Sequence, residues 1–133
     1  MQKKFLSPII ILVMSIMYIP TLDSFAQEEN VESIREEIKS IPKEEYGEEP
    51  ASPCRDKKSP AGEGYYMVGA GLIGKHDLAI AVYNARNYCS FRFEGLNEKF
   101  CSTGVEMAIR NLPNLKKCYK AIFNKDVPIE NVL

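Results

Sequence analysis

The sequence predicts a small two-layer α+β domain that is stapled by disulfides, with the order strand, helix, strand or hairpin, and two helices. Three observations predict it: a short apolar run at Tyr65–Val68, helical spacing of the apolar residues after it, and alternation with period two over Ser90–Glu94. Each amphipathic face must bury against another element, so two layers are the simplest packing. A mostly α fold is the alternative.

The first strand and helix are predicted on either side of a glycine-rich turn. Tyr65–Val68 is expected to be a buried strand that enters the turn, and Asp77 to cap the following helix. In that helix, apolar residues recur at positions i, i+4, i+7 and i+11. These residues are Leu78, Val82, Ala85 and Cys89. They are predicted to form one buried face.

The second half of the domain is predicted to begin with a strand. In Ser90–Glu94 the alternation directs Phe91 and Phe93 towards the core. Thr103 and Glu106 fit a capping box that would open a helix, which Pro113 would end. Asn114 is predicted to cap a last helix that continues through Ile122.

Four segments are expected along the chain: a signal peptide at 1–26, an acidic leader at 27–63, a compact domain at 64–126 and a tail at 127–133. Two lysines precede an apolar run, and Ser24 and Ala26 place small residues at −3 and −1 of a cut before Gln27. The alternative is an uncleaved membrane anchor. With the signal removed, no integral membrane segment is expected, and the protein would be periplasmic or secreted.

Charge is divided unevenly between the leader and the body. Residues 27–50 hold 9 acids and 3 bases, a net of −6, whereas residues 51–133 hold 12 bases and 8 acids, a net of +4. In the leader, Val31, Ile34, Ile38 and Ile41 fall at helical spacing and predict one short helix that ends at Pro42. Residues 43–64 are expected to be a linker or a loosely held arm.

Four cysteines, Cys54, Cys89, Cys101 and Cys118, predict two disulfides, because an exported domain of this size needs crosslinks to be stable. Three pairings are possible. We favour Cys89 with Cys101, on the expectation of a hairpin between them, and Cys54 with Cys118. Zinc is the rival interpretation, but no Cys-x-x-Cys pair is present. No metal and no catalytic group is expected, and His76 is interpreted as an exposed residue near a helix start.

The run from Val68 to Gly74 contains Gly69, Gly71 and Gly74 in the spacing Gly-x-Gly-x-x-Gly, and Glu94 stands 20 residues further on. This segment of about 30 residues resembles the dinucleotide-binding fingerprint of Rossmann proteins. The resemblance implies that these glycines would admit a pyrophosphate and that Glu94 would hold a ribose. The interpretation we prefer is a tight strand-to-helix turn that lets the helix lie close to the sheet. No cofactor is then expected.

Basic residues near the C-terminus form the other candidate site. Lys116 and Lys120 are spaced i, i+4 and share a helix surface with or near Lys117 and Arg110. They predict contact with an anionic surface, or else an ordinary solvated face. A net charge of +4 is too small for a nucleic-acid binder, and no recognition motif is present.

The sequence therefore predicts an exported, non-enzymatic binding or interaction protein, whose partner would be a protein or an envelope component. Two alternatives stay open. One is the precursor of a cationic, cysteine-containing effector that carries an acidic pro-segment. The other is a miniature nucleotide-binding domain that uses the Gly69–Gly74 loop.

Overall fold

Helices are the regular secondary structure in the part of the chain that the computed structural model describes, residues 20–41 and 54–130, with side chains described at Glu28 and from Asn30 on. Five helices lie within these residues: α1 at Pro20–Ser40, α2 at Pro60–Ile73, α3 at Leu78–Arg92, α4 at Gly95–Arg110 and α5 at Leu112–Phe123. No strand occurs within these described ranges. The chain divides into two units, 1–30 and 31–133, and the packing described below lies in the second.

The α+β prediction is therefore wrong, and the mostly α alternative is confirmed. Tyr65–Val68 lies inside α2, where Tyr65, Tyr66 and Val68 are buried. A continuous apolar run fits a fully buried helix as well as a buried strand, since both hide every face. Ser59 caps α2 by accepting a hydrogen bond from the Gly62 N–H at 3.0 Å, and Pro60 takes the first helical position.

The predicted second strand is also wrong. Ser90–Arg92 forms the last turn of α3, and Phe91 is 94% exposed instead of facing a core. Only Phe93 and Glu94 separate α3 from α4, which begins at Gly95 with a positive φ of 60°. Thr103 lies within α4 and donates its hydroxyl hydrogen to the Lys99 carbonyl, so it opens no helix. The last helix is capped by Asn111, which accepts from the Asn114 N–H at 3.0 Å.

Two predicted helices are confirmed. Asp77 caps α3 by accepting a hydrogen bond from the Ile80 N–H at 2.9 Å, and the predicted face of α3 is buried. In the leader, α1 ends at Ser40, and Val31, Ile34 and Ile38 join the buried core. Residues 31–40 of this helix are thus part of the packed unit. Predictions for residues 1–19, 42–53 and 131–133 lie outside the described residues.

Helix α2 is the central element, because it contacts α3, α4 and α5 and packs most extensively on α4. Small residues allow this approach. A Cβ on Gly64 of α2 would lie 2.0 Å from the Cys101 carbonyl oxygen of α4, and one on Gly104 would lie 1.9 Å from the Ala61 carbonyl oxygen. Because both distances are far inside van der Waals contact, these backbones meet where no side chain fits.

Two disulfides crosslink the unit, in the pairing that we favoured. Cys89 of α3 bonds Cys101 of α4, and Cys54 bonds Cys118 of α5, with Cα–Cα distances of 5.5 and 5.2 Å. The reason given for the first pair was wrong, since two antiparallel helix ends replace the expected hairpin. Stable disulfides indicate an oxidising environment.

Candidate functional site

The glycine motif lies in the interior and at the end of α2, not in a loop after a strand. A Cβ on Gly69 would lie 2.6 Å from the Tyr119 ring of α5, and one on Gly71 would lie 2.7 Å from the Ala81 Cβ of α3. Gly74 is the C-cap, and its N–H bonds the Ala70 carbonyl. The turn prediction is wrong, but close approach of a helix is correct, with helices in place of the sheet.

This placement removes the structural context of the Rossmann fingerprint. That motif needs a strand, a tight turn and the N-terminus of a helix, where backbone N–H groups face a pyrophosphate. Here Tyr119 and Ala81 occupy the space beside Gly69 and Gly71. Glu94 is the residue immediately before α4. The resemblance to Rossmann proteins is therefore one of glycine spacing and not of structure.

The predicted basic residues are largely paired with carboxylates. The Lys116 Nζ lies 3.2 Å from a Glu130 oxygen, and the Lys120 Nζ lies 3.6 Å from an Asp126 oxygen. On α4, the Arg110 Nε lies 3.9 Å from Glu106. Acids of the segment after α5 therefore lie beside both lysines, and the predicted contact with an anionic surface stays a prediction. Lys117 is exposed, and no ion pair of its side chain is seen among the described residues.

Arg86 is the centre of a partly buried charge cluster that joins three helices. Its guanidinium donates to both Glu37 carboxylate oxygens of α1, at 3.1 and 2.6 Å, and to Glu106 of α4 at 3.0 Å. The hydrogen bonds from Arg86 lower the pKa of Glu37, and those to Glu37 raise the pKa of Arg86. Arg35 makes a similar link from α1 to Asp77 at 2.8 Å. These ion pairs fasten the leader helix to the body.

A second cluster lies between α2 and the end of α3. The Tyr88 hydroxyl donates to Glu63, and the Arg92 Nε lies 3.6 Å from the same carboxylate. The hydrogen bond to Glu63, followed by burial, raises the pKa of Tyr88. Tyr88 and Arg92 of α3 thus both bind the Glu63 carboxylate and link α3 to α2.

Metal binding finds no support in the described residues, where no group of three or more His, Cys, Asp or Glu side chains could hold an ion. All four cysteines are in disulfides. His76 is exposed, as expected. In the same ranges of the chain, no helix is both long and apolar enough to cross a membrane.

The most distinctive surface is an exposed apolar face on α4. Leu96 is 67% exposed, Phe100 is 51% exposed and Met107 is 37% exposed. At about 100° per residue, these three side chains fall within about 40° of one another around the helix axis. We call them the α4 stripe. Lys99, Glu106 and Arg110 lie on the polar flank beside it.

Phe91, near the end of α3, is a further exposed apolar side chain. Cys89 and Cys101 hold the two helices with Cα atoms 5.5 Å apart, and Phe91 and Phe100 stand two residues and one residue from those cysteines. Backbone dimensions therefore keep the Cα atoms of Phe91 and Phe100 within about 15 Å. Phe91 stands about 200° around α3 from Cys89, whose side chain is directed to α4, so its ring faces away from that contact. The α4 stripe alone exposes ~300 Å² of apolar side chain, at the lower end of the range of functional patches.

Sequence reasoning missed this surface although a signal was present. Leu96, Phe100, Thr103 and Met107 follow spacings of four, three and four residues, which mark one helix face. The capping box placed the helix start at Thr103 and so divided the face between a turn and a helix.

Comparisons with protein-family models, with curated proteins and with solved structures find no significant match for this chain.

Proposed function

We propose that the protein is an exported, non-enzymatic binding protein that contacts a protein partner through the α4 stripe and Phe91. The exposure of these four side chains carries the proposal. They are the exposed large hydrophobic residues of the described chain, whereas the other large apolar groups are buried or packed against the core. An apolar helix face of ~300 Å², with a largely exposed phenylalanine on the neighbouring helix, is typical of an interaction site on a small, crosslinked domain.

The stability of the fold supports an exposed patch of this kind. Two disulfides, a central helix packed on three others and the Arg86 cluster keep the unit compact without help from the α4 stripe. The apolar side chains on α4 can therefore remain in water until a partner covers them. Phe, Met and Leu at such a surface contribute to binding mainly by being desolvated.

Export is part of the proposal and rests on the residues of the first segment. The two disulfides favour an oxidising compartment, in agreement with a signal peptide at 1–26 that is removed before Gln27. Within that segment, residues 20–26 begin helix α1, and the rest lies outside the described residues.

The leader is proposed to remain with the body. Its residues Val31, Ile34 and Ile38 are 7–8% exposed, and Glu37 is bound to Arg86. A cut near residues 57–64 would leave it attached, since Cys54 bonds Cys118. These contacts favour a binding protein over the precursor of a cationic effector.

Site-specific photocrosslinking tests the function. A benzophenone amino acid replaces Phe91, and the matched control replaces the exposed Lys125, which is far along the chain from the α4 stripe. Illumination in the exported location is expected to give a discrete adduct from position 91 and none from position 125. Equal labelling from both positions, or no adduct from position 91, would contradict a partner at this face.

A further inference from the structure

We infer that the α4 stripe binds a second copy of this chain, with two α4 helices packed antiparallel about a twofold axis. This inference rests on the proposed function, because it names the partner for the same surface. Four observations lead to it: the spacing of the apolar residues, the register that this spacing permits, the charges beside it and the area it offers.

The spacing is that of a helix-pairing seam. Leu96, Phe100, Thr103 and Met107 are separated by four, three and four residues, which is the alternation of a and d positions in a coiled coil. They form a strip about 60° wide on α4 at 100° per residue. A strip of this width fits another helix along its length.

The order of the side chains suits an antiparallel pair of identical helices. A twofold axis between positions 101 and 102 places Leu96 opposite Met107 of the second copy, and Phe100 opposite Thr103 of the second copy. Each large side chain then faces a narrower or more flexible one, and no two phenylalanine rings compete for one position. The contact is isologous, so it closes at two copies.

In this register, the charges on the polar flank of one copy complement the charges on the polar flank of the other. Lys99 lies on the same side of the seam as Glu106 of the second copy, which is two residues, or about 3 Å, from the position directly opposite it, and the symmetry makes the same pair twice. Both side chains lie on the flank beside the α4 stripe, at positions where antiparallel helices exchange charge. No ion pair of Lys99 is seen among the described residues, while Glu106 also binds Arg86 and Arg110. Opposite charges would thus fix both orientation and register.

The area agrees with a weak, reversible interface. The three side chains of the α4 stripe expose ~300 Å² of apolar surface, and protein interfaces are about 60% apolar, which implies a contact of ~500 Å² per copy. A typical stable complex buries about 800 Å² per partner, and weak complexes bury less. The face is therefore large enough for a dimer of modest affinity without rearrangement of the fold.

Photocrosslinking from position 96 tests the partner and the register together. Met107 lies about 16 Å along the same helix from Leu96, beyond the reach of a benzophenone side chain at that position. The oxidised full chain with Leu96→benzophenylalanine is expected to give a dimer band whose adduct maps to Met107. An adduct with a different protein would overturn the second copy and retain the proposed function. No adduct would overturn both, and a dimer linked elsewhere would overturn the antiparallel register.

Sedimentation measures the affinity independently. The wild-type chain is expected to dimerise below about 200 µM, a modest affinity for an interface of this size. Lys99→Glu places an acid beside Glu106 in each of the two symmetry-related pairs and should weaken association at least tenfold, whereas Lys117→Glu, the same charge change on α5, should leave it unchanged. Circular dichroism verifies that both variants fold. A wild-type monomer at every concentration, or equal weakening by both variants, overturns the inference.

Discussion

Gly64 of α2 and Cys101 of α4 touch backbone to backbone, and Cys101 is bonded at the same point to Cys89 of α3. One turn of α4 therefore contacts the central helix through a glycine and the neighbouring helix through a disulfide. Gly104, one turn further along α4, makes the second close approach, to Ala61. These contacts set the distance between α2 and α4 over two turns and leave the opposite side of α4 in water.

The first prediction concerns the close approach of α2 and α4. Gly64→Ala would place a Cβ 2.0 Å from the Cys101 carbonyl oxygen, and a backbone atom cannot move aside as a flexible side chain can. We expect the variant to lose about 2–3 kcal/mol of unfolding free energy, the usual effect of overpacking. Urea denaturation monitored by circular dichroism measures the loss.

Gly95 provides the control, because its φ is +60° and no heavy atom lies within 4 Å of the Cβ that would be added. Gly95→Asn introduces a residue that tolerates this conformation and should change stability by less than about 1 kcal/mol. If Gly64→Ala were equally harmless, α2 and α4 could not be in backbone contact.

Glycine was the feature that sequence reasoning interpreted least well, and the reason is physical. Gly69, Gly71 and Gly74 have the spacing of a phosphate-binding turn, but the same residues also let helices pack closely. The two uses differ in what occupies the space where a side chain would be. Here that space is taken by Tyr119 and Ala81, which are distant in sequence from the glycines they contact. Local spacing contains no information about such partners.

The elements that sequence predicted correctly have local causes. The face of α3, its Asp77 cap and the apolar face of α1 follow from helical spacing within one segment. The errors at Tyr65–Val68 and Ser90–Glu94 came from short windows, in which four or five residues cannot separate a strand from part of a helix. The exposed α4 stripe was missed because its helix was started eight residues too late, at Thr103 instead of Gly95.

The two disulfides are predicted to stabilise the protein unequally. Cys54–Cys118 joins residues 64 apart, and Cys89–Cys101 joins residues 12 apart. Loop-closure entropy gives about 4 kcal/mol for the first and about 3 kcal/mol for the second. Replacing both cysteines of a pair by Ala should therefore lower the urea midpoint more for the 54–118 pair.

Peptide mapping without reductant checks the connectivity behind that ranking. Peptides that contain Cys54 should appear linked to peptides that contain Cys118, and those with Cys89 to those with Cys101. Free thiols on folded protein, or a larger loss on removing the shorter loop, would contradict this account of stability.

Acid should weaken the attachment of the leader helix. The pKa of Glu37 is lowered from its ordinary value of 4.5 by Arg86, so its contribution to stability is complete above about pH 5 and is lost as pH falls through the lowered pKa. Glu37→Gln should reduce unfolding free energy by about 1 kcal/mol at pH 7, a value discounted for the partial exposure of the pair.

The difference between wild type and Glu37→Gln should then shrink below pH 4, because protonated glutamate no longer differs in charge from glutamine. Denaturation midpoints over pH 3–7 measure it. Glu36→Gln is the matched control, since within the described residues Glu36 pairs with the exposed Lys39 at 3.4 Å, and this substitution should have little effect. A constant difference at all pH values would show that the ion pair is not its source.

The leader should remain attached even after the chain is cut. A protease recognition sequence inserted between Lys57 and Lys58 would lie before α2, in a segment that belongs to no helix. After cleavage, the Cys54–Cys118 disulfide is expected to hold both fragments in one band without reductant and to release two bands with it. Release of the leader from oxidised protein would restore the precursor hypothesis.

Replacing Phe91 distinguishes most directly between the helical fold and the predicted strand. As a core residue of a strand, its replacement by Ala would lower unfolding free energy by about 3–5 kcal/mol. At 94% exposure in the last turn of α3, Phe91→Ala should change it by less than about 0.5 kcal/mol. Tyr119→Ala is the comparison, because that aromatic ring is 8% exposed, fills the space beside Gly69 and should lose several kcal/mol. Dilute protein is required for the measurement, since association through the same face would add its own binding free energy to the apparent stability of the wild type.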